Sequence, residues 1–252
     1  MSDQTIVISA SPHVHSDRTS KKVMYDVLIA LIPAFLVSIY VFGLGALVIT
    51  SVAVISCLLF EYVIQKFLLK TEITITDGSA LITGILLAFN LPSSLPIWMV
   101  VIGSFIAIGV AKLSFGGLGY NIFNPALVGR VFLLVSFPVQ MTMWPIPVEN
   151  NTTLVDATTG ATTLGIIKEE LLYGSTMTEI SMQIPSTIDL LFGITGGSVG
   201  EMSAMALLLG GIFLIARKVI TWHIPVIILV TMAIFIGIFW FIDPEHYANP
   251  LI

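Results

Sequence analysis

The chain has 252 residues, of which 56% are hydrophobic and only 10% charged, with a formal net charge of −5. Soluble domains carry roughly 25% charged residues, so this composition excludes a water-soluble globular enzyme and indicates an integral membrane protein. The acidic balance gives no sign of nucleic-acid binding, and a lone cysteine, Cys57, leaves no internal disulfide and no multi-cysteine metal site to expect.

Residues 1–22 form a polar segment ahead of the first apolar run. His13 and His15 lie only two apart within it and read as part of a docking segment for a soluble partner, because a metal site would need further ligands. No small-residue cleavage site follows the first apolar run, so that run is expected to stay as an anchor. Residues 23–42 and 45–65 each approach the ~20 apolar residues that cross a bilayer. Between 80 and 111 lie 32 residues interrupted by Pro92 and Pro96. They are too few for two full spans and too many for one, so two short or broken helices are expected, with their irregular backbone buried in protein or lining a cavity. Residues 122–137 supply another short span, which makes 23–137 a first membrane half of about five spans. Residues 138–197 read as a long polar loop. Residues 198–252, with apolar runs at 200–216 and 225–242, start a second half of about two spans. The fold class is an all-α integral membrane protein, a multi-span helical bundle with short or broken helices.

Polar residues within these runs each carry two readings. Arg130 falls in mid-span, where an unpartnered charge costs about 2.5–3.5 kcal/mol. Its partner is either a bound cofactor or its phosphate near the outer face, or a structural group such as Glu61 or a helix C-terminus. Glu61 belongs to an ion path or, near the cytoplasmic end of its helix, is simply hydrated. Asp77 precedes Gly78 and Ser79 and caps a helix start, or contributes to a cofactor or ion site there. Asn121 and Asn124 flank an entry into the membrane and either cap it or reach the ring of a bound cofactor. Trp98, Trp144, Trp222 and Trp240 stand near span ends, as interfacial anchors do.

Cytoplasmic loops are enriched in Lys and Arg. Counting crossings from the N-terminus puts Arg18, Lys21, Lys22, Lys66, Lys70, Lys112, Arg217 and Lys218 on one side, eight of the ten basic residues. The N-terminus is therefore expected in the cytoplasm and the 138–197 loop outside. From Glu149 to Glu201 the chain carries seven acids against the single Lys168.

Within that loop, Asp156-Ala157-Thr158-Thr159-Gly160-Ala161-Thr162 resembles the acceptor motif Asp-x-x-(Ser/Thr)-Gly-Ala-Thr, on whose last threonine a flavin transferase installs FMN through a phosphodiester bond. A threonine hydroxyl can attack the inner phosphate of FAD. Thr162 would carry the FMN, and Asp156, Thr159, Gly160 and Ala161 would form the motif that the transferase recognises.

Further stretches carry a resemblance over almost the whole chain. They are Ser11-Pro12-His13-Val14-His15-Ser16, Thr76-Asp77-Gly78-Ser79-Ala80 through Asn90-Leu91-Pro92, Phe115-Gly116-Gly117-Leu118-Gly119-Tyr120-Asn121, Phe123-Asn124-Pro125-Ala126 with Gly129-Arg130, and Gly196-Gly197-Ser198 with Gly200-Glu201. Together they resemble the D subunit family of the Rnf complex, a membrane-bound ferredoxin:NAD oxidoreductase. The B subunit of the sodium-pumping NADH:quinone reductase is its sister family, and both share their fold with urea transporters.

The resemblance implies covalent FMN on Thr162, a noncovalent riboflavin as a further cofactor, and coupling of electron flow to Na+ or H+ translocation. It implies as partners a second flavin-bearing subunit, iron–sulfur subunits, the flavin transferase and membrane lipid, in a prokaryotic inner membrane with the flavin loop on the extracytoplasmic side. The family has ten helices in two halves, so the chain is expected to reach Ile252 about three helices before that pattern closes. Nothing in the sequence resembles a nicotinamide site or an iron–sulfur cysteine set, so no complete activity is expected of the chain alone. The alternative function class is a urea-transporter-like solute channel, which would have no use for the threonine motif.

Overall fold

The computed structural model describes residues 19–145, 159–160, 162–174, 176–180, 184–193, 196–201, 203–244, 247 and 249. The fold is all-α and multi-span. The described residues form helices and their connections, apart from a two-residue antiparallel pairing of β1 (Trp144–Pro145) with β2 (Thr159–Gly160). Among the described residues, four helices are long and apolar enough to cross a membrane, and three apolar helices are shorter.

α1 (Ser20–Phe42) starts at Thr19, whose Oγ1 accepts from the Lys22 amide at 3.4 Å. It ends at Gly43, the only residue between it and α2 (Leu44–Val63). Gly43 has φ +59° and ψ −135°, which glycine adopts with no side-chain penalty, and this lets one span turn directly into the next. A π-helical stretch, Ile64–Leu69, prolongs α2.

α3 (Ser79–Phe89) has 11 residues, roughly 17 Å of rise and about half the hydrocarbon thickness. It is the short helix expected between residues 80 and 111. The second helix of that segment is not short: α4 (Ile97–Phe105) runs on through a π-helical stretch, Ile106–Lys112, and a 3-10 turn, Leu113–Phe115. This makes one rod of 19 residues, Ile97–Phe115. α5 (Pro125–Ser136) begins after Asn124 rather than at Ile122, and α6 (Pro138–Thr142) follows it.

The break between α3 and α4 satisfies its backbone inside the protein, as irregular backbone at membrane depth must. The Gly200 amide donates to the Phe89 carbonyl at 2.8 Å and the Val199 amide to the Leu91 carbonyl at 3.1 Å. Asn90 Nδ2 donates to the Leu86 carbonyl at 2.7 Å. Leu91, Leu95 and Val199 fill the break and are buried. Around it, α2, α3, α4 and α5 share a core that includes Ile49, Ala53, Leu87, Val100 and Leu133.

After β2 come α7 (Thr163–Leu172), α8 (Met177–Ile180) and α9 (Thr187–Phe192). α10 (Ala204–Ala216) then packs on α1, and α11 (His223–Ile242) buries none of its residues within the chain. Arg217 at the end of α10 holds Asp26 of α1 through Nη2 at 2.9 Å.

Small residues set the helix spacing, since without a hydrophobic drive between helices in lipid close packing must hold them. A Cβ on Gly84 of α3 would lie 2.7 Å from Val54 Cα of α2. Gly84→Val should therefore force α2 and α3 apart at a cost of about 3 kcal/mol, the upper end for overpacking. Thermal unfolding in detergent should show a clear fall in midpoint, and an unchanged midpoint would show that this contact does not fix the bundle.

Candidate functional site

Thr162 sits at the N-cap of α7, with extended backbone at φ −66° and ψ 158°. Its Oγ1 accepts from the Gly165 amide at 3.1 Å, and its carbonyl accepts from the Ile166 amide at 2.9 Å. The residue is partly exposed. Just before it, Gly160 pairs with Trp144 and Thr159 with Pro145, which ties the loop back to the end of the first membrane half. The hydroxyl thus stands at the positive end of a 10-residue helix, where unpaired amides and the helix dipole favour a phosphate. Asp156 and Ala161 lie outside the described residues, as do His13 and His15, and Thr159 is described only in its backbone.

A second cluster forms at the opposite end of α3 from the break. Glu61 of α2 is fully buried and Lys112, at the end of the π-helical stretch after α4, is 2% exposed. Lys112 Nζ donates to Glu61 Oε1 at 2.7 Å and to Ser79 Oγ at 2.6 Å. Ser79 Oγ in turn donates to Asp77 Oδ1 at 2.6 Å, and that oxygen also accepts from the Ser79 amide at 2.7 Å. On the other side, Glu61 Oε1 accepts from Thr74 Oγ1 at 3.2 Å and from Gln65 Nε2 at 3.4 Å. Glu61 Oε2 is buried without a hydrogen-bond partner.

These contacts bear on several of the alternatives. Asp77 Oδ1 accepts from the Ser79 amide at 2.7 Å in a turn just ahead of α3, whose N-cap is Gly78, and Asn124 caps α5 by accepting from the Ala126 amide at 3.0 Å. Glu61 is fully buried, and its partner is Lys112 rather than Arg130. Arg130 Nη1 instead donates to Asn90 Oδ1 at 2.8 Å, at the break and thus across the length of α3 from Asp77. Lys112, counted from sequence among the cytoplasmic loop cations, is a buried ion-pair member.

Beside the cluster lies a cavity of about 440 Å³ lined by Ser79, Thr83, Lys112, Asn121 and Asn124 together with apolar side chains such as Leu86 and Phe123. Its size falls within the ~300–1,000 Å³ of small-molecule sites. The Asn121 amide faces the carbonyls of Lys112 and Gly117 at 3.2 and 2.9 Å, which fixes its nitrogen on that side. The structure therefore gathers Asn121, Asn124 and, through Ser79, Asp77 around one cavity, and it leaves Arg130 at the break. Sequence reasoning missed Lys112 and Ser79. The signal available was a second opposite charge inside an apolar run, since intramembrane charges occur mostly in pairs.

The NQR2, RnfD, RnfE family model matches residues 7–252. The chain is 47% identical over 238 residues to the D subunit of the Na(+)-translocating ferredoxin:NAD(+) oxidoreductase complex of Acetobacterium woodii, covering 93% of this chain and 70% of the relative. It is 45% identical over 227 residues to the D subunit of the proton-translocating ferredoxin:NAD(+) oxidoreductase complex of Clostridium ljungdahlii, covering 90% and 67%. To the D subunit of the ion-translocating oxidoreductase complex of Rhodobacter capsulatus it is 40% identical over 262 residues, covering 96% and 72%. A family match over nearly the whole chain, and relatives at this identity, establish that the protein belongs to the NQR2, RnfD, RnfE family.

Proposed function

We propose that the chain is the membrane electron-transfer subunit of an ion-translocating ferredoxin:NAD oxidoreductase complex, that it carries FMN in a phosphodiester link on Thr162, and that it has no complete activity alone. The names of its relatives support the setting. Relatives of nearly equal identity are named for Na+ and for protons, so the reading is of a Na+- or H+-coupled complex. The observation that carries the flavin is the complete acceptor motif ending on a partly exposed hydroxyl at a helix N-cap. In the attachment, Thr162 Oγ1 bonds to the inner phosphorus of FAD, the pyrophosphate bridge breaks, AMP leaves and the hydroxyl proton is lost. A phosphate on Thr162 would be favoured by the N-terminal end of α7, where Thr162 is the N-cap.

The cavity at Asn121 and Asn124 suits the noncovalent flavin. A flavin ring offers donors and acceptors along its pyrimidine edge, and the cavity matches it with amides, hydroxyls and the Lys112 ammonium over an apolar wall. When bound, the isoalloxazine would supply the redox chemistry, and the chain would supply position, tuning and exclusion of water. Arg130 donates to Asn90 at the break, which supports a structural role for it there. The channel reading loses support because the break between α3 and α4 is packed by Leu91, Leu95 and Val199 rather than lining a passage.

The proposal needs Thr162 on the extracytoplasmic side, with the N-terminus in the cytoplasm. In a Cys57→Ala background, Glu169→Cys should react with an impermeant thiol reagent in intact cells and Lys70→Cys should react only after lysis. Both positions are exposed. The reverse pattern would put the hydroxyl on the wrong side for the transferase and would sink the proposal.

A further inference from the structure

Lys112 stands where the buried charge cluster meets the cavity. Its ammonium has three donors. Two are taken, by Glu61 Oε1 and Ser79 Oγ, and no third contact occurs among the described residues. The side chain is 2% exposed yet forms part of the cavity wall, so its charge acts across a medium that screens it little. Ser79 is itself held by Asp77, which fixes the ammonium from a second direction. Glu61 holds Lys112 but is not among the residues that line the cavity. A carboxylate in that position offsets the cation and draws it away from the cavity.

Resting on the reading that this cavity holds a flavin, we infer that Lys112 is the cavity's fixed cation, which makes it prefer an occupant carrying negative charge, and that Glu61 sets the strength of that preference. A reduced flavin readily loses a proton from its pyrimidine side and becomes an anion, whereas the oxidised ring is neutral. The cavity therefore binds the reduced form more tightly than the oxidised form. Lys112 raises the potential of the bound flavin and Glu61 lowers it. The two members of one ion pair thus act on the occupant with opposite sign, which a merely structural pair would not do.

The test uses the full chain purified in detergent and measures its affinity for added riboflavin by anaerobic equilibrium dialysis, with the ligand oxidised or reduced by dithionite. Wild type should prefer reduced riboflavin. Glu61→Gln should increase that preference, and Glu61→Gln combined with Lys112→Met should decrease it, each by on the order of tenfold. Glu61→Gln leaves Lys112 buried without its anion and is the variant at risk of not folding; should it not accumulate, the double variant decides, because it removes both charges and the preference must fall. Equal ratios in all variants that bind riboflavin would overturn the inference and leave the cavity's assignment to a flavin standing. No binding of either form by wild type would overturn that assignment and the inference with it.

Discussion

Thr162→Ala should abolish covalent flavin fluorescence of the chain in a denaturing gel and reduce ferredoxin-dependent NAD reduction by the assembled complex to background, while the complex stays together. One hydroxyl has two roles here. In the proposal it is the nucleophile that the acceptor motif provides. It is also the N-cap of α7, accepting from the Gly165 amide, and loss of such a cap costs about 1 kcal/mol. That cost is small for a multi-span bundle, so assembly should survive. The two roles can be separated. Asparagine caps as well as threonine does but offers no hydroxyl, so Thr162→Asn should keep α7 and still carry no flavin. A Thr162→Ala chain that stays fluorescent would move the attachment to Thr158, Thr159 or Thr163. Normal turnover by a flavin-free complex would show that the flavin is dispensable.

The second large effect concerns the buried pair. Lys112→Met leaves Glu61 fully buried without its cation, and breaking a buried pair by removing one partner costs about 3–5 kcal/mol. Most of the chain should then fail to reach a folded, detergent-stable state. Adding Glu61→Gln removes the second charge, and the carbonyl oxygen of the introduced amide can still accept from Thr74 and Gln65, so much of the loss should be recovered. Size-exclusion profiles and thermal unfolding of the single and double variants measure this. A single variant as stable as wild type would show that Glu61 and Lys112 are not held together in the folded protein.

The apolar runs were legible from sequence because hydrocarbon thickness imposes a length on each, and all of them appear as helices. The cap at Asn124 was legible because a short polar side chain just before a helix has few other uses, whereas Asp77 stands one residue ahead of Gly78, the N-cap of α3, and bonds the Ser79 amide from there. The length of the fourth helix was not. Its rod passes the boundary set at 111 and stops at Phe115, where Gly116 with φ +106° turns the chain. The Glu61–Lys112 pair was hidden for a related reason. Lys112 lies 51 residues from its partner and at the end of an apolar run, where a lysine looks like a cytoplasmic flank. Only the packing of α2 against α3 and α4 shows that it faces inward. Arg130 had to have a partner, but sequence did not single out Asn90, 40 residues away on the far side of a broken helix. At Thr162 the motif was legible, whereas its second role as the cap of α7 was not, because that helix carries no acidic residue in its first turn.

Peptide mass spectrometry on the purified wild-type chain tests covalent flavin attachment at Thr162 most directly. Trypsin cuts after Arg130 and Lys168, with no other basic residue between them, so one peptide carries Thr162 together with Thr158, Thr159 and Thr163. That peptide should be heavier by FMN less one water, with fragmentation placing the added mass on Thr162. An unmodified peptide from chain produced together with its flavin transferase, or the added mass on another threonine, would contradict the assignment.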